Sequence, residues 1–235
     1  LKSDLSVAFP ELLRFNVFTK TLLEFLSVYG SAKDVLAATE EQLQQALDVQ
    51  KGRKSEEITV QSIKDLAQTS IGVSYRAAMV RDSAKTVLAC QQRDEELTKA
   101  LVELEKALHH RQMEILTSIP GIGEVTASHF LSEIPDISRF ATYQKLIAFA
   151  GTDPGIYESG NTSKQLRISK HGNPILRKYL YLIADSCMRH NVVFNAYYHK
   201  KREEGFPHRK AMVATMNKLV RTLHALLTKD ETYSL

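Results

Sequence analysis

The sequence predicts an all-α protein in which a long, coiled-coil-like helical arm precedes a compact helical domain. Three observations predict it. Apolar residues recur at helical spacing along almost the whole chain of 235 residues. From about Ser74 to Thr117 there is neither Pro nor Gly. Pro174 and Pro207 open the last two periodic stretches, in the first turn, where a helix tolerates Pro. The expected division is a helical region at 1–112 and a compact domain at 113–235.

Taken in order, 17–29 and 40–49 read as short helices, with Gly30 and Ser31 as a break between them. Thr39 is the N-cap of the second, ahead of an acidic first turn. The polar stretch 50–57 reads as a loop, and Ser55 with Glu56 and Glu57 opens a helix at about 56–70. In the long stretch after it, Val87, Cys90, Asp94, Leu97, Leu101, Leu104, Leu108 and Ile115 keep a 3-4 spacing, with Arg111 between the last two. Glu96, Lys99, Glu103 and Lys106 flank this stripe, which is the layout of a coiled-coil seam. An amphipathic helix packed on its own domain has the same pattern.

After Thr117 glycine and proline become frequent, and the stretch up to Pro174 reads as a loop-rich site carried on helices. Helical spacing returns at 174–199 and 207–228. Charge divides the chain too. Residues 1–150 carry 17 basic and 20 acidic side chains, whereas 151–235 carry 14 basic and 7 acidic, so the formal net charge of +4 averages an acidic part and a basic one. A basic end suits a polyanionic partner. Hydrophobic residues at 43% and charged residues at 25% exclude a disordered, collagenous or disulfide-scaffold chain. No apolar run reaches the roughly 18 residues of a membrane span, and the N-terminus lacks a signal-peptide layout. Cys90 and Cys187 stand far apart with no CxxC. A soluble, cytoplasmic protein without a membrane partner is expected.

Two segments could carry chemistry. In Leu116-Thr-Ser-Ile-Pro-Gly-Ile-Gly-Glu-Val-Thr-Ala, Gly121 and Gly123 let the backbone turn sharply and approach a ligand. The amides that open the next helix then favour phosphate. This is similar to the helix-hairpin-helix element that grips nucleic-acid backbone without reading bases; a purely structural hairpin has the same spacing. The second segment, residues 146–177, sets Ser159, Ser163 and Ser169 among Lys164, Arg167, Lys170 and Arg177 with almost no acid between. A serine hydroxyl attacking phosphate needs cations to take up the developing charge, and Gly160 leaves Ser159 accessible. A basic loop that binds nucleic acid passively would look alike, and the residues alone do not choose among the three serines. The histidines at 190, 199 and 208 are nine apart, a spacing that suits no compact metal site on one helix face.

Residues from about 113 to 200 resemble the C-terminal domain of DEDD-type insertion-sequence transposases related to the pilin-gene invertase, recombinases guided by a bridge RNA. The residues that carry the resemblance are IPGIG, AFAGTDPG, SG and ISKHGNPILR, recurring in order over about 90 residues. The preceding arm looks like that family's coiled coil. The resemblance implies a transposase or recombinase that exchanges DNA strands through a serine nucleophile, with RNA-guided target and donor recognition. The family's nucleophile is the serine before glycine, here Ser159. Downstream of it Ile168, Lys170, Gly172, Leu176 and Arg177 match the family's pattern. Arg167, Lys170 and Arg177 are expected to steady the phosphate, with Lys164 also on nucleic acid.

The resemblance extends to residues outside this chain. In the family a RuvC-like N-terminal domain supplies four metal-binding carboxylates, and no acidic set upstream of residue 113 has that context. Mg2+ is therefore expected only with that domain and none on this chain, which alone is expected to be inactive. The implied partners are DNA, a guide RNA and a homodimer or higher homo-oligomer formed through the long helix. A non-catalytic helix-hairpin-helix DNA-binding module is the alternative.

Overall fold

The computed structural model describes residues 1–47, 58–159 and 162–234, with the backbone alone at 154–159 and 162–167. The all-α expectation holds: twelve α-helices account for most of the described residues. The chain forms two compact units, Leu1–Glu96 and Leu97–Leu235. No helix among the described residues is long and apolar enough to cross a membrane.

The first unit holds α1 (Lys2–Ala8), α2 (Lys20–Val28), α3 (Ala32–Ala37), α4 (Glu40–Leu47) and α5 (Val60–Gln68). Leu5, Phe9, Leu12, Leu23, Phe25, Leu26, Leu43 and Ile63 close its core. Thr39 caps α4 as expected. Its Oγ1 accepts from the Gln42 amide at 3.3 Å, and the Gln42 side chain accepts from the Thr39 amide at 3.0 Å. Ser31 is more than a break: its hydroxyl accepts from the Asp34 amide and starts α3. Thr59, in a capping box with Ser62, starts α5. The expected loop at 50–57 and the Ser55 start lie outside the described residues.

α6 runs Ala77–Leu108. No Pro or Gly stops it. His109 leaves helical geometry at φ −129° and ψ 42°, its Nδ1 lies 2.7 Å from Glu105 Oε2, and α7 (His110–Thr117) comes next. Along α6 the seam residues Leu97, Leu104 and Leu108 are 54%, 53% and 65% exposed, whereas Val102 and Glu105 are buried.

The second unit continues with α8 (Glu124–Glu133), α9 (Tyr143–Ala150), α10 (Pro174–His190), α11 (Val192–Glu203) and α12 (His208–Lys229). Phe130, Leu131, Leu146, Leu176, Leu180, Ile183, Cys187, Phe194, Met216, Leu219 and Leu223 form its core. The helix expected at 174–199 is two helices. Asn191 divides them: its side-chain oxygen accepts from the Val193 and Phe194 amides and starts α11. Between α9 and α10, in place of the expected loop, lies an antiparallel hairpin of β1 (Pro154–Ser159) and β2 (Thr162–Ile168).

Candidate nucleic-acid and strand-exchange site

The glycine turn joins α7 to α8. Ile119 and Ile122 point into the core beside Met113, Leu116 and Ala127, and the Ile122 amide closes the turn on the Ile119 carbonyl at 3.0 Å. The two glycines differ. Gly121 has φ 103°, and a Cβ there would stand 2.7 Å from Cys187 Cα, so this glycine is required by contact with α10. Gly123 is exposed, nothing lies within 4 Å of where its Cβ would be, and it caps α8 with no side-chain acceptor. The positive end of α8 is thus open to solvent. Glu124 in its first turn binds Lys106 at 2.9 Å, which raises the lysine's pKa.

The motif residues around the hairpin converge on its base. α9 ends at Gly151, left-handed at φ 66°, where the chain turns out of the helix. Gly172 passes so close that a Cβ on it would sit 2.1 Å from the Phe149 carbonyl oxygen and 2.4 Å from the Gly151 nitrogen. Only glycine fits. The two segments are then laced together: the Lys170 amide donates to the Gly151 carbonyl at 3.1 Å, the Ser169 amide to Asp153 at 2.9 Å, and the Asn173 amide to Phe149 at 2.7 Å. Lys170 takes a left-handed conformation, φ 56°, to make its bond. Asn173 starts α10 by accepting from the Ile175 and Leu176 amides, while its side-chain amide donates to Glu133 at 2.5 Å. Thr152 is fully buried, and its hydroxyl donates to Asn217 on α12 at 2.8 Å.

This base assigns places to the residues singled out from sequence. Arg177 is half-buried and donates from Nη1 to the Ala150 carbonyl at 3.0 Å, closing the C-terminus of α9. Ser169 is half-buried and donates to the Asp153 carboxylate at 2.5 Å. Ser159 sits at the other end of β1, paired with Thr162; Ser163 pairs with Glu158, and Lys164 with Tyr157. Arg167 adjoins Ile168, the partner of Pro154, at the base. With about 3.3 Å per strand residue, Ser159 stands roughly 16 Å along β1 from the base. Along the backbone, then, Lys170 and Arg177 belong to the base of the hairpin and Ser159 to the far end of β1. The side chains of Ser159, Ser163, Lys164 and Arg167 lie outside the described residues, as does Gly160.

Among the described residues no three His, Cys, Asp or Glu side chains come together in a way that could hold a metal ion. Sequence reasoning misses the structural duties of Thr152, Asp153 and Asn173. A signal is present for the last of these, since Asn before Pro at a helix start is a capping pattern.

Residues 113–199 match the family model described as Transposase IS116/IS110/IS902 family. The chain is 33% identical over 172 residues to the insertion element IS900 uncharacterized 42 kDa protein of Mycobacterium paratuberculosis, covering 71% of this chain and 42% of that protein. It is 33% identical over 172 residues to the transposase for insertion sequence element IS1111A of Coxiella burnetii, covering 72% of this chain and 47% of the relative. It is 29% identical over 136 residues to the pilin gene-inverting protein of Moraxella bovis, covering 57% of this chain and 42% of the relative. The chain spans less than half the length of these curated relatives.

Proposed function

With residues 113–199 a transposase domain of the IS116/IS110/IS902 family, we propose that the chain takes part in DNA strand exchange with Ser159 as nucleophile. The observation that carries this reading is the clamped hairpin. A rigid base of glycine contacts and backbone hydrogen bonds holds two strands whose far end bears Ser159. A serine on such an arm can reach a phosphodiester that the body of the domain does not touch.

In the proposed step Ser159 Oγ bonds to phosphorus and the bond from phosphorus to a sugar oxygen breaks. The serine loses a proton and the departing sugar oxygen gains one, so one phosphodiester replaces another and no oxidant is needed. Attack of another strand's hydroxyl on the phosphoserine reverses the bonding and frees the serine. Charge on the phosphate is met by cations, and because Lys170 and Arg177 belong to the base, those cations come from Lys164 on the hairpin or from another protomer. Strand exchange by this chain alone is not expected.

Pairing of protomers fits the arm. Leu97, Leu104 and Leu108 leave an apolar stripe exposed on α6, which suits a homodimer or higher oligomer. A guide RNA as the source of target and donor addresses rests on the family resemblance alone. The open N-terminus of α8 supports the second reading, a non-catalytic module that grips nucleic-acid backbone.

The test uses the natural protein with its RNA and a labelled donor DNA, scoring covalent protein–DNA adducts in denaturing gels. Ser159→Ala abolishes them under the proposal, and Ser163→Ala and Ser169→Ala leave them. Adducts that survive Ser159→Ala but vanish with either of the others reassign the nucleophile. No adduct in any form, with DNA binding retained, favours the module.

A further inference from the structure

Apart from the hairpin, α9, α11 and α12 enclose an open groove of about 790 Å3 lined by Tyr143, Tyr197, Phe206, Asn217, Lys218 and Arg221, with no carboxylate among the described residues of its lining. Its aromatic rings and its cations are paired. Lys218 Nζ lies 4.5 Å from the centre of the Tyr197 ring, Arg221 lies 5.4 Å from that of Tyr143, and Lys210 lies 4.3 Å from that of Phe206. Lys201, also on the lining, is held by Glu204 at 2.6 Å. Lys218 and Arg221 make no ion pair among the described residues.

We infer that this groove binds unpaired nucleotides, with bases stacked against Tyr197 and Tyr143 and phosphates held by Lys218 and Arg221. An ordinary surface cation finds a carboxylate or stands in water. Here two cations are turned over rings in a concave, acid-free lining, so an arriving anion meets charge not already neutralised. Burial, with Lys200 second, holds the Lys218 ammonium below the ordinary lysine range, the mark of a cation short of solvent and of counter-charge. Aromatic faces beside cations are the means by which proteins hold single strands without regard to sequence, because every base offers a π-face. A duplex keeps its base faces stacked internally and has none to give.

The groove also adjoins the hairpin. Asn217 lines it and, from the same side chain, accepts from Thr152 Oγ1 at 2.8 Å and donates to the Thr152 carbonyl at 3.3 Å. A strand lying in the groove therefore runs up to the hairpin base. The inference rests on the domain's acting on nucleic acid and is independent of which serine reacts. Its source is an RNA segment or a displaced DNA strand; both offer the same rings and phosphates.

The test is fluorescence anisotropy of this chain with labelled oligothymidylate, oligouridylate and a duplex of equal length, over a salt series. Both single strands are expected to bind more tightly than the duplex. Tyr197→Ala lowers single-strand affinity roughly tenfold, within the range of one lost stack, while Tyr197→Phe restores it. Lys218→Gln with Arg221→Gln reduces the slope of log affinity against log salt by about 1.4, two phosphates at ~0.7 each. Circular dichroism confirms that each variant is folded. Tighter binding of the ribo-oligomer identifies RNA as the source, and tighter binding of the deoxy-oligomer identifies a DNA strand. Equal losses for duplex and single strand, or an unchanged affinity in Tyr197→Ala, overturn the inference. Adducts at Ser159 with no groove binding sink this inference alone, and groove binding with no adducts sinks the nucleophile alone.

Discussion

Gly151 and Gly172 meet backbone to backbone: a Cβ on Gly172 would stand 2.4 Å from the Gly151 nitrogen and 2.1 Å from the Phe149 carbonyl oxygen. Neither neighbour is a side-chain tip that could swing aside. Gly172→Ala must therefore part the strands at the hairpin base and loosen the Lys170 to Gly151 and Asn173 to Phe149 hydrogen bonds. The expected loss is on the order of 3 kcal/mol, at the severe end for one substitution. Urea unfolding followed by circular dichroism measures it, and a loss under about 1 kcal/mol, the ordinary size for a point change, would show that the base is not built this way.

The two turn glycines should separate in the same assay. Gly121→Ala drives a Cβ into Cys187 Cα at 2.7 Å and asks alanine for φ 103°, so it should cost about 2 kcal/mol or more. Gly123→Ser meets nothing within 4 Å at an extended backbone, φ −94° and ψ 164°, and supplies α8 with the cap it lacks. Its stability should be unchanged or up by about 0.5 kcal/mol. If backbone phosphate approaches the start of α8, the serine side chain blocks that approach. DNA affinity should then fall while the melting temperature does not, and unaltered affinity counts against phosphate binding there.

These glycines show how far the fold is legible in the sequence. The turn at 119–123 can be read because Pro-Gly-Ile-Gly allows little else, but not which glycine faces protein and which faces water, since Cys187 is 66 residues downstream of Gly121. Helices are legible by period, and their starts where a cap such as Thr39 stands ahead of acid or where Pro174 and Pro207 stand at the opening of a periodic stretch. The breaks at His109 and Asn191 escape such a reading because no Pro or Gly marks them; a side-chain contact to Glu105 and a pair of caps do. Ser159 stands out as a residue, whereas its separation from Lys170 and Arg177 does not, because hairpin pairing is non-local.

The two thiols should differ in reach. Cys90 is exposed and Cys187 fully buried, and burial pushes the Cys187 thiol up to about 12. At about pH 8, near an ordinary thiol's range, one equivalent of iodoacetamide should react with the folded chain and two after denaturation, located by peptide mass mapping. The raised value has a stability consequence. Between an ordinary thiol value of 9.0 and about 12 the folded chain keeps a proton that the unfolded chain releases. Stability is therefore intact below pH 9.0 and falls as pH rises toward 12. Cys187→Ala should flatten that alkaline decline, and an unchanged decline would assign it to other groups.

The α6 leucines provide the remaining test, since their exposure separates association from folding. Leu97, Leu104 and Leu108 are 54%, 53% and 65% exposed in the single chain, so charged replacements remove little buried area from the chain's own core. The double substitution Leu97→Lys and Leu104→Lys should leave the stability of a dilute sample within about 0.5 kcal/mol. In a coiled-coil partner's seam the same lysines would face apolar knobs at close range, where an ammonium loses water without gaining a counter-charge. Sedimentation velocity should then show the parent chain as a dimer or larger and the double variant as a monomer. A substitution at Val102, which is 7% exposed, should act the other way, lowering stability before it touches association. A parent chain that sediments as a monomer at high concentration would leave the exposed stripe without a role in self-association.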